Sequence, residues 1–127
     1  MNEREIAGGL ADTPGYRYAE QVGDQLFVAG QVPHDSDGSL VGADDPAEQA
    51  RVCLVNLRTL VGLHGFTMSD VRHLTVHVVG AQGDLGSAWN AVRTWFDDNV
   101  PPATLLGTHS LGHPGQLVEI DAVIVRT

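Results

Sequence analysis

Two acidic residues stand two positions apart near the end of the chain, inside a stretch that is otherwise apolar. Strand alternation places Glu119 and Asp121 on one face, together with Leu117, Val123 and Val125. A carboxylate that is partly desolvated beside another carboxylate has its pKa raised toward neutrality, which suits general acid or base catalysis. The structural alternative is that both acids are paired with arginines or hydroxyls at a subunit contact, as buried acids usually are.

Two histidine pairs, His73 with His77 and His109 with His113, have a four-residue spacing that resembles a pair of metal ligands. On a strand, four residues span about 13 Å, so the first pair cannot share one ion. The second pair lies in a predicted loop, but no Glu or Cys nearby completes a ligand set. Glycine-rich phosphate loops and paired cysteines are absent. We therefore expect no metal and no cofactor.

Composition excludes several classes of protein. The net charge is −9, and the seven basic residues, all arginines, are scattered, so no cationic face is available to bind nucleic acid. Without lysine, Schiff-base catalysis by a side-chain amine is excluded. Apolar runs are too short for a membrane span, and the N-terminus lacks the pattern of a secretory signal. Cys53 is the one cysteine, which agrees with a reducing compartment, so we expect a cytoplasmic protein that acts on a small molecule. Arginine without lysine indicates the codon bias of a GC-rich bacterial genome.

Periodicity and turn residues predict one α+β domain over residues 1–127, with element order β-β-α-β-α-β-β. Residues 1–15 are expected to form a loosely held arm, and residues 33–45 a surface loop. Asp45 as N-cap and Pro46 at the first helical position begin a helix that Gly65 stops. The remaining elements are strands at Tyr18–Val22, Gln25–Gly30, Val71–Val79, Ala103–Thr108 and Leu117–Arg126, and a helix at Asp84–Asn99.

Alternation divides the middle strand into an apolar and a polar face. His73, Thr75 and His77 share one face, and the residues between them, Leu74 and Val76, share the other. Two amphipathic helices cover only one face of a mixed sheet of this size, so the other face needs a partner. His77 then either lies at a subunit contact, hydrogen-bonded to a neighbour, or lines a cleft there.

Several separated motifs, in the right order and spacing, resemble the RidA/YjgF family of reactive intermediate deaminases over nearly the whole chain. They are Tyr16, Val-Gly-Asp at 22–24, Leu-Phe-Val-Ala-Gly-Gln-Val-Pro at 26–33, Gln-Ala-Arg at 49–51, Asn-Leu at 56–57, Trp-Asn at 89–90, Pro-Pro-Ala at 101–103 and Val-Glu-Ile at 118–120. The resemblance implies a chorismate-mutase-like fold assembled as a homotrimer. The uncovered sheet faces would form a central barrel, with three clefts between subunits.

The resemblance also implies roles for individual residues. Glu119 stands where the family's acid activates water, Tyr16 where its cleft tyrosine lies, and Asn90 where an asparagine supports the cleft. Three positions depart from the family pattern and make the pocket less polar. Thr104 replaces the arginine that grips a substrate carboxylate, Ala29 a small polar residue, and Leu106 a cysteine or serine.

Three hypotheses follow from this pattern. The first is an intersubunit cleft that binds a small uncharged imine, enamine or carbonyl compound, with Glu119 activating water and His77 standing in for the missing arginine. The second is a ligand-binding or regulatory trimer that has lost catalysis, which Thr104, Ala29 and Leu106 favour. The third is ribonuclease activity, which the acidic composition disfavours most.

Overall fold

A five-stranded mixed sheet forms the centre of the molecule in the computed structural model, which describes all 127 residues. The spatial strand order is β1-β2-β5-β3-β4; only β3 and β4 run parallel to each other. The strands are β1 (Ala19–Val22), β2 (Gln25–Val28), β3 (Val71–Val79), β4 (Ala103–Thr108) and β5 (Val118–Val125). All five predicted strands are confirmed, with ends that shift by one or two residues.

Two long helices, α2 (Pro46–Leu63) and α3 (Gln82–Trp95), pack on one face of this sheet. The Asp45 side chain accepts a hydrogen bond from the backbone N–H of Glu48 at 3.1 Å, as an N-cap should. Helix α3 begins two residues earlier than predicted, because Asp84 accepts the backbone N–H of Ala81 from within the first turn. It also ends four residues early, at Trp95. No helix is both long and apolar enough to span a bilayer.

The core lies between the helices and the sheet. Alternate residues of the two central strands, Leu74, Val76 and Val78 from β3 and Val118 and Ile120 from β5, are completely buried there. Helix α2 contributes its apolar stripe to the same cluster, including Cys53, Leu54, Leu57 and Val61. The Cys53 thiol lies 3.6 Å from the carbonyl oxygen of Val118, and complete burial raises its pKa.

The N-terminal segment is not the loose arm that its polar, glycine-rich composition predicted. It forms a one-turn helix, α1 (Glu3–Ala7), held by a 2.8 Å contact between the Glu5 carboxylate and the His64 ring at the end of α2. Both side chains are largely buried. Asn2 adds three hydrogen bonds, to the Thr13 side chain, to the Tyr16 carbonyl and from the Tyr18 N–H. Tertiary contacts therefore order this segment.

Gln49, completely buried near the start of α2, ties the helix layer to two loops. Its amide nitrogen donates to the carbonyl oxygens of Gly42 and Gly115, and its amide oxygen accepts the backbone N–H of Leu117 at 2.7 Å. The last contact fixes the segment that enters β5. A buried amide of this kind stabilises the fold only while all its hydrogen bonds are made, because an unpaired buried polar group costs free energy.

Replacing Gln49 by leucine is expected to leave three backbone groups without partners. Each buried unsatisfied group costs about 1–3 kcal/mol, so we expect Gln49→Leu to lower the free energy of unfolding by at least about 2 kcal/mol in urea titrations. Gln21→Leu, at an exposed position of β1, is the control and is expected to change stability by less than about 0.5 kcal/mol. Equal effects of the two substitutions would contradict this role.

Candidate functional site

The candidate site lies on the sheet face that the helices leave uncovered. Strand pairing places Glu119 of β5 opposite His77 of β3, and His77 beside Leu106 of β4. The next row is Asp121, Thr75 and Thr104. On β3 and β5 the helix-free face presents the residues that alternation grouped together. Strand register places four of the predicted site residues on this face: Glu119, His77, Leu106 and Thr104.

The Glu119 carboxylate is held against the backbone of Gly30, just beyond β2. A Cβ atom at residue 30 would lie 2.6 Å from Glu119 Oε2, so a side chain there would push the carboxylate out of this position. Gln116, which is 4% exposed, donates from its amide nitrogen to Glu119 Oε1 at 3.3 Å and to the Val118 carbonyl at 3.0 Å. Its amide oxygen accepts the backbone N–H of His113. The half-buried carboxylate thus has a fixed position.

Tyr16 borders the same region. Partial burial raises the pKa of its hydroxyl, and the negative charge of Glu119 raises it further. The ring therefore lies near the acid. The side chain remains 39% exposed. Its backbone is fixed by Asn2, whose amide donates to the Tyr16 carbonyl at 2.9 Å. The N-terminal segment therefore positions the tyrosine beside Glu119.

The His77 ring lies on the helix-free face, as alternation predicted, with a partner from its own chain. Its Nε2 is 3.0 Å from Asp121 Oδ2, and the two side chains are 25% and 44% exposed. This contact sits diagonally across the β3–β5 pair, one row from Glu119. The two acids of β5 are therefore distinct: Asp121 is paired with an imidazole, and Glu119 contacts an amide and a glycine.

Thr104 lies on this face but far from Glu119. Two strand spacings of about 4.8 Å and two residues along the strand separate their Cα atoms by roughly 12 Å within one chain. Ala29, half-buried beyond the end of β2, lines a shallow surface pocket with Tyr16 and Phe27. Asn90 lies elsewhere, exposed on α3 in the groove between the two long helices, and within one chain it does not contact Glu119.

Every arginine already has a partner away from Glu119. Ion pairs, cation–π contacts or hydrogen bonds occupy all seven, in the pairs Arg4–His64, Arg17–Glu20, Arg51–Glu48, Arg58–Trp95, Arg72–Val125, Arg93–Asp98 and Arg126–Phe66. None forms a hydrogen bond or ion pair with Glu119, Tyr16 or Thr104. The site on one chain therefore has no fixed cation for a substrate carboxylate.

Three residues that contribute to this region were not predicted from the sequence. Gly30 and Gln116 contact the acid directly, and His34 is buried although it falls in the predicted surface loop. The His34 ring packs 4.8 Å from that of His113, which comes from the loop before β5. No group of three or more metal-ligating side chains is found. His109 is exposed and does not join His113.

The structure is that of a small α+β protein with a mixed sheet, two helices on one sheet face and a half-buried carboxylate on the other. Comparison with known proteins identifies the class more closely. A family model described as Endoribonuclease L-PSP matches residues 10–126. The chain therefore belongs to the RidA/YjgF family.

Individual relatives cover nearly the whole chain. A RutC family protein of Sinorhizobium fredii is 35% identical over 120 residues, 91% of this chain and 94% of its own length. The mouse 2-iminobutanoate/2-iminopropanoate deaminase is 26% identical over 111 residues, 87% and 81% of the two chains. The crystal structure of Escherichia coli TdcF with bound serine superposes with a TM-score of 0.82 at 23% identity, covering 93% of each chain, which shows the shared fold.

Gly30→Ala is expected to destabilise the protein, because the added methyl group overlaps the Glu119 carboxylate. The carboxylate must then move away from Gln116, and loss of that hydrogen bond costs about 0.5–1.5 kcal/mol, measured as a lower free energy of unfolding in urea. Gly62→Ala, at an open and exposed position of α2, is the matched control and should raise stability by about 0.5–1 kcal/mol.

A double substitution separates this contact from a general backbone effect. In the Glu119→Ala background the overlap is gone, so Gly30→Ala should then cost less than about 0.5 kcal/mol. An undiminished cost in that background would show that Gly30 is required for a reason other than Glu119.

Proposed function

We propose that this chain binds a small, uncharged imine, enamine or carbonyl metabolite in a cleft between subunits of a homotrimer, and that Glu119 activates water there. The observation that carries the proposal is the half-buried Glu119 carboxylate, held by Gln116 and Gly30 on the uncovered sheet face with Tyr16 close by. A carboxylate fixed in this way is suited to take a proton from water.

Hydrolysis of an imine follows directly from such a base. Glu119 accepts a proton from water as the water oxygen forms a bond to the imine carbon, and passes that proton to the nitrogen to give a neutral carbinolamine. Glu119 then takes the proton of the carbinolamine hydroxyl and delivers it to the nitrogen as the C–N bond breaks, which releases a carbonyl compound and ammonia and regenerates the carboxylate. The name of the mouse relative, a 2-iminobutanoate/2-iminopropanoate deaminase, supports this class of reaction.

The same geometry argues against a carboxylate-bearing substrate. An arginine fork offers two charge-assisted hydrogen bonds and cancels the substrate charge, whereas Thr104 offers one neutral hydroxyl. At about 1.5–3 kcal/mol for each hydrogen bond to a charged group, the missing fork corresponds to about 10²- to 10⁴-fold weaker binding. The alternative, a ligand-binding or regulatory trimer without catalysis, is favoured by the apolar Ala29 and Leu106.

Ribonuclease activity is the weakest candidate, despite the description of the family model. The chain carries a net charge of −9, and its arginines are engaged in contacts within the chain. The face that holds Glu119 also holds Asp121. A surface of this sign repels the phosphates of RNA.

The proposed cleft requires a second subunit, because Thr104 and Glu119 of one chain lie too far apart to contact one small ligand. Exposed apolar side chains on the helix-free face support a subunit contact there, including Phe27 at 50%, Val123 at 44% and Leu106 at 36% exposure. A contact that covers this face would bring the β4 strand of one subunit near the β5 strand of another.

Light scattering is expected to report a mass three times the 13.5 kDa of one chain. Val123→Asp, which places a charge on the proposed contact, should shift the protein to monomers. Ile6→Asp, at an equally exposed position on α1, is the control and should leave the mass unchanged. A wild-type monomer at micromolar concentration would refute the intersubunit cleft.

Wild-type protein is expected to hydrolyse 2-iminopropanoate at least about 10²-fold more slowly than the mouse deaminase, because Thr104 cannot grip its carboxylate. The imine is generated in the assay by an amino-acid oxidase, and its loss is followed with time. Thr104→Arg should restore part of the rate, and Thr104→Arg with Glu119→Gln should lose it again. The single Glu119→Gln variant measures the background.

Two results would change the proposal. A wild-type rate equal to that of the mouse enzyme would refute the argument from the missing arginine. A folded, trimeric Thr104→Arg variant with no activity would favour the non-catalytic alternative, since the substrate charge would then be matched and only the water-activating role of Glu119 would be missing.

A further inference from the structure

A largely enclosed cavity of about 110 Å³ lies beside the Gln31 side chain, and no hypothesis above assigns a ligand to it. Its walls come from the segment after α1, from the loop that follows β2, and from α2 through Asn56. The antiparallel bridge between Gln31 and Ile120 places the Gln31 side chain on the helix side. Gly30 and Tyr16, which lie beside Glu119, also line the cavity, whereas Glu119 itself does not.

Two side-chain amides in these walls donate hydrogen bonds within the protein while their oxygens accept none. Asn56 donates both amide hydrogens, to the carbonyl oxygens of Val32 at 2.9 Å and His34 at 3.0 Å. Gln31, only 2% exposed, donates to the Ala29 carbonyl at 2.9 Å. Neither amide oxygen has a partner within the protein. The cavity therefore offers two carbonyl acceptors whose orientation is fixed by the donors behind them.

Two imidazoles complete the polar lining. His34 is 9% exposed, its Nδ1 is buried without a partner, and its ring lies 4.8 Å from that of His113 at an angle of 57°. Burial, and then the proximity of His113, lower the pKa of His34, which keeps the ring neutral. The walls contain no lysine or arginine, and the one acid, Asp12, is exposed.

This lining matches a neutral ligand that carries both N–H donors and a carbonyl oxygen. The walls contain no cationic side chain that could pair with an anionic ligand. A cationic ligand would lose its hydration and could pair only with Asp12, which is exposed to solvent. A ligand without N–H groups would leave the oxygens of Gln31 and Asn56 unpaired. The volume resembles that of engineered cavities of about 150 Å³ that hold one benzene-sized molecule.

We propose that this cavity is a binding site for a small uncharged amide or urea-type compound. The ligand N–H groups donate to the side-chain oxygens of Gln31 and Asn56, and its carbonyl oxygen faces the imidazoles of His34 and His113. Glu119 is not among the residues that line the cavity, so this proposal does not require that the protein is an imine hydrolase.

Two-dimensional ¹H–¹⁵N NMR with acetamide and propionamide as probes tests the site on the full-length protein. We expect saturable shifts of the Gln31 and Asn56 side-chain amides, with a Kd of about 1–10 mM for ligands of about five non-hydrogen atoms. Acetone, acetate and methylammonium are the controls. Acetone has no N–H group, acetate is an anion without N–H groups, and methylammonium is a cation without a carbonyl oxygen. Equal shifts with acetone or acetate, or shifts that never saturate, would show that the cavity holds water alone.

Ala11→Leu fills the cavity from its wall and keeps the Ala11 carbonyl, which accepts the Tyr18 hydroxyl at 2.6 Å. It should abolish the acetamide shifts without lowering Tm. Ala7→Leu, exposed on α1, is the matched control and should bind as the wild type does. If Ala11→Leu does not fold, His113→Leu removes one imidazole from a half-buried position and should weaken binding at least about tenfold. Unchanged binding in the folded variants would overturn the proposal.

Discussion

The position of β5 between β2 and β3 is the constraint on which the rest of the molecule depends. Because β5 is paired on both sides, its alternation is fixed: Val118 and Ile120 enter the core, and Glu119 and Asp121 point the other way. A slip of one residue would exchange these sets and bury two carboxylates under the helices. The apolar half of the strand therefore determines where the acid stands.

Much of this fold follows from local sequence patterns, and the exceptions have a common cause. Asp45 and Pro46 set the start of α2, and alternation set the faces of β3, because these signals act between residues close in sequence. Helix α1 was missed because five residues do not form a stable helix alone. Its order comes from contacts such as Glu5 with His64, and a pattern confined to the segment cannot reveal them.

The site was predictable to the same extent. Alternation indicated the faces on which His77 and Glu119 lie in their strands, and the family resemblance singled out Thr104 and Leu106. The register of β3, β4 and β5 then places all four on one face. The contacts that define the surroundings of the acid join distant segments, as Gly30 does with Glu119 and His34 with His113. Composition gives no sign of either contact, because glycine is common near turns and a histidine in a polar loop is ordinarily exposed. Only the folded chain shows that these residues are packed against each other.

Cys53 gives the molecule a built-in reporter of its own opening. The thiol is completely buried against the Val118 carbonyl, between α2 and the strand that carries Glu119, and it is the one cysteine of the chain. A reagent that modifies thiolates has no access to it while the helix layer stays on the sheet. The rate of labelling under native conditions thus measures how often these two layers separate, without any engineered probe.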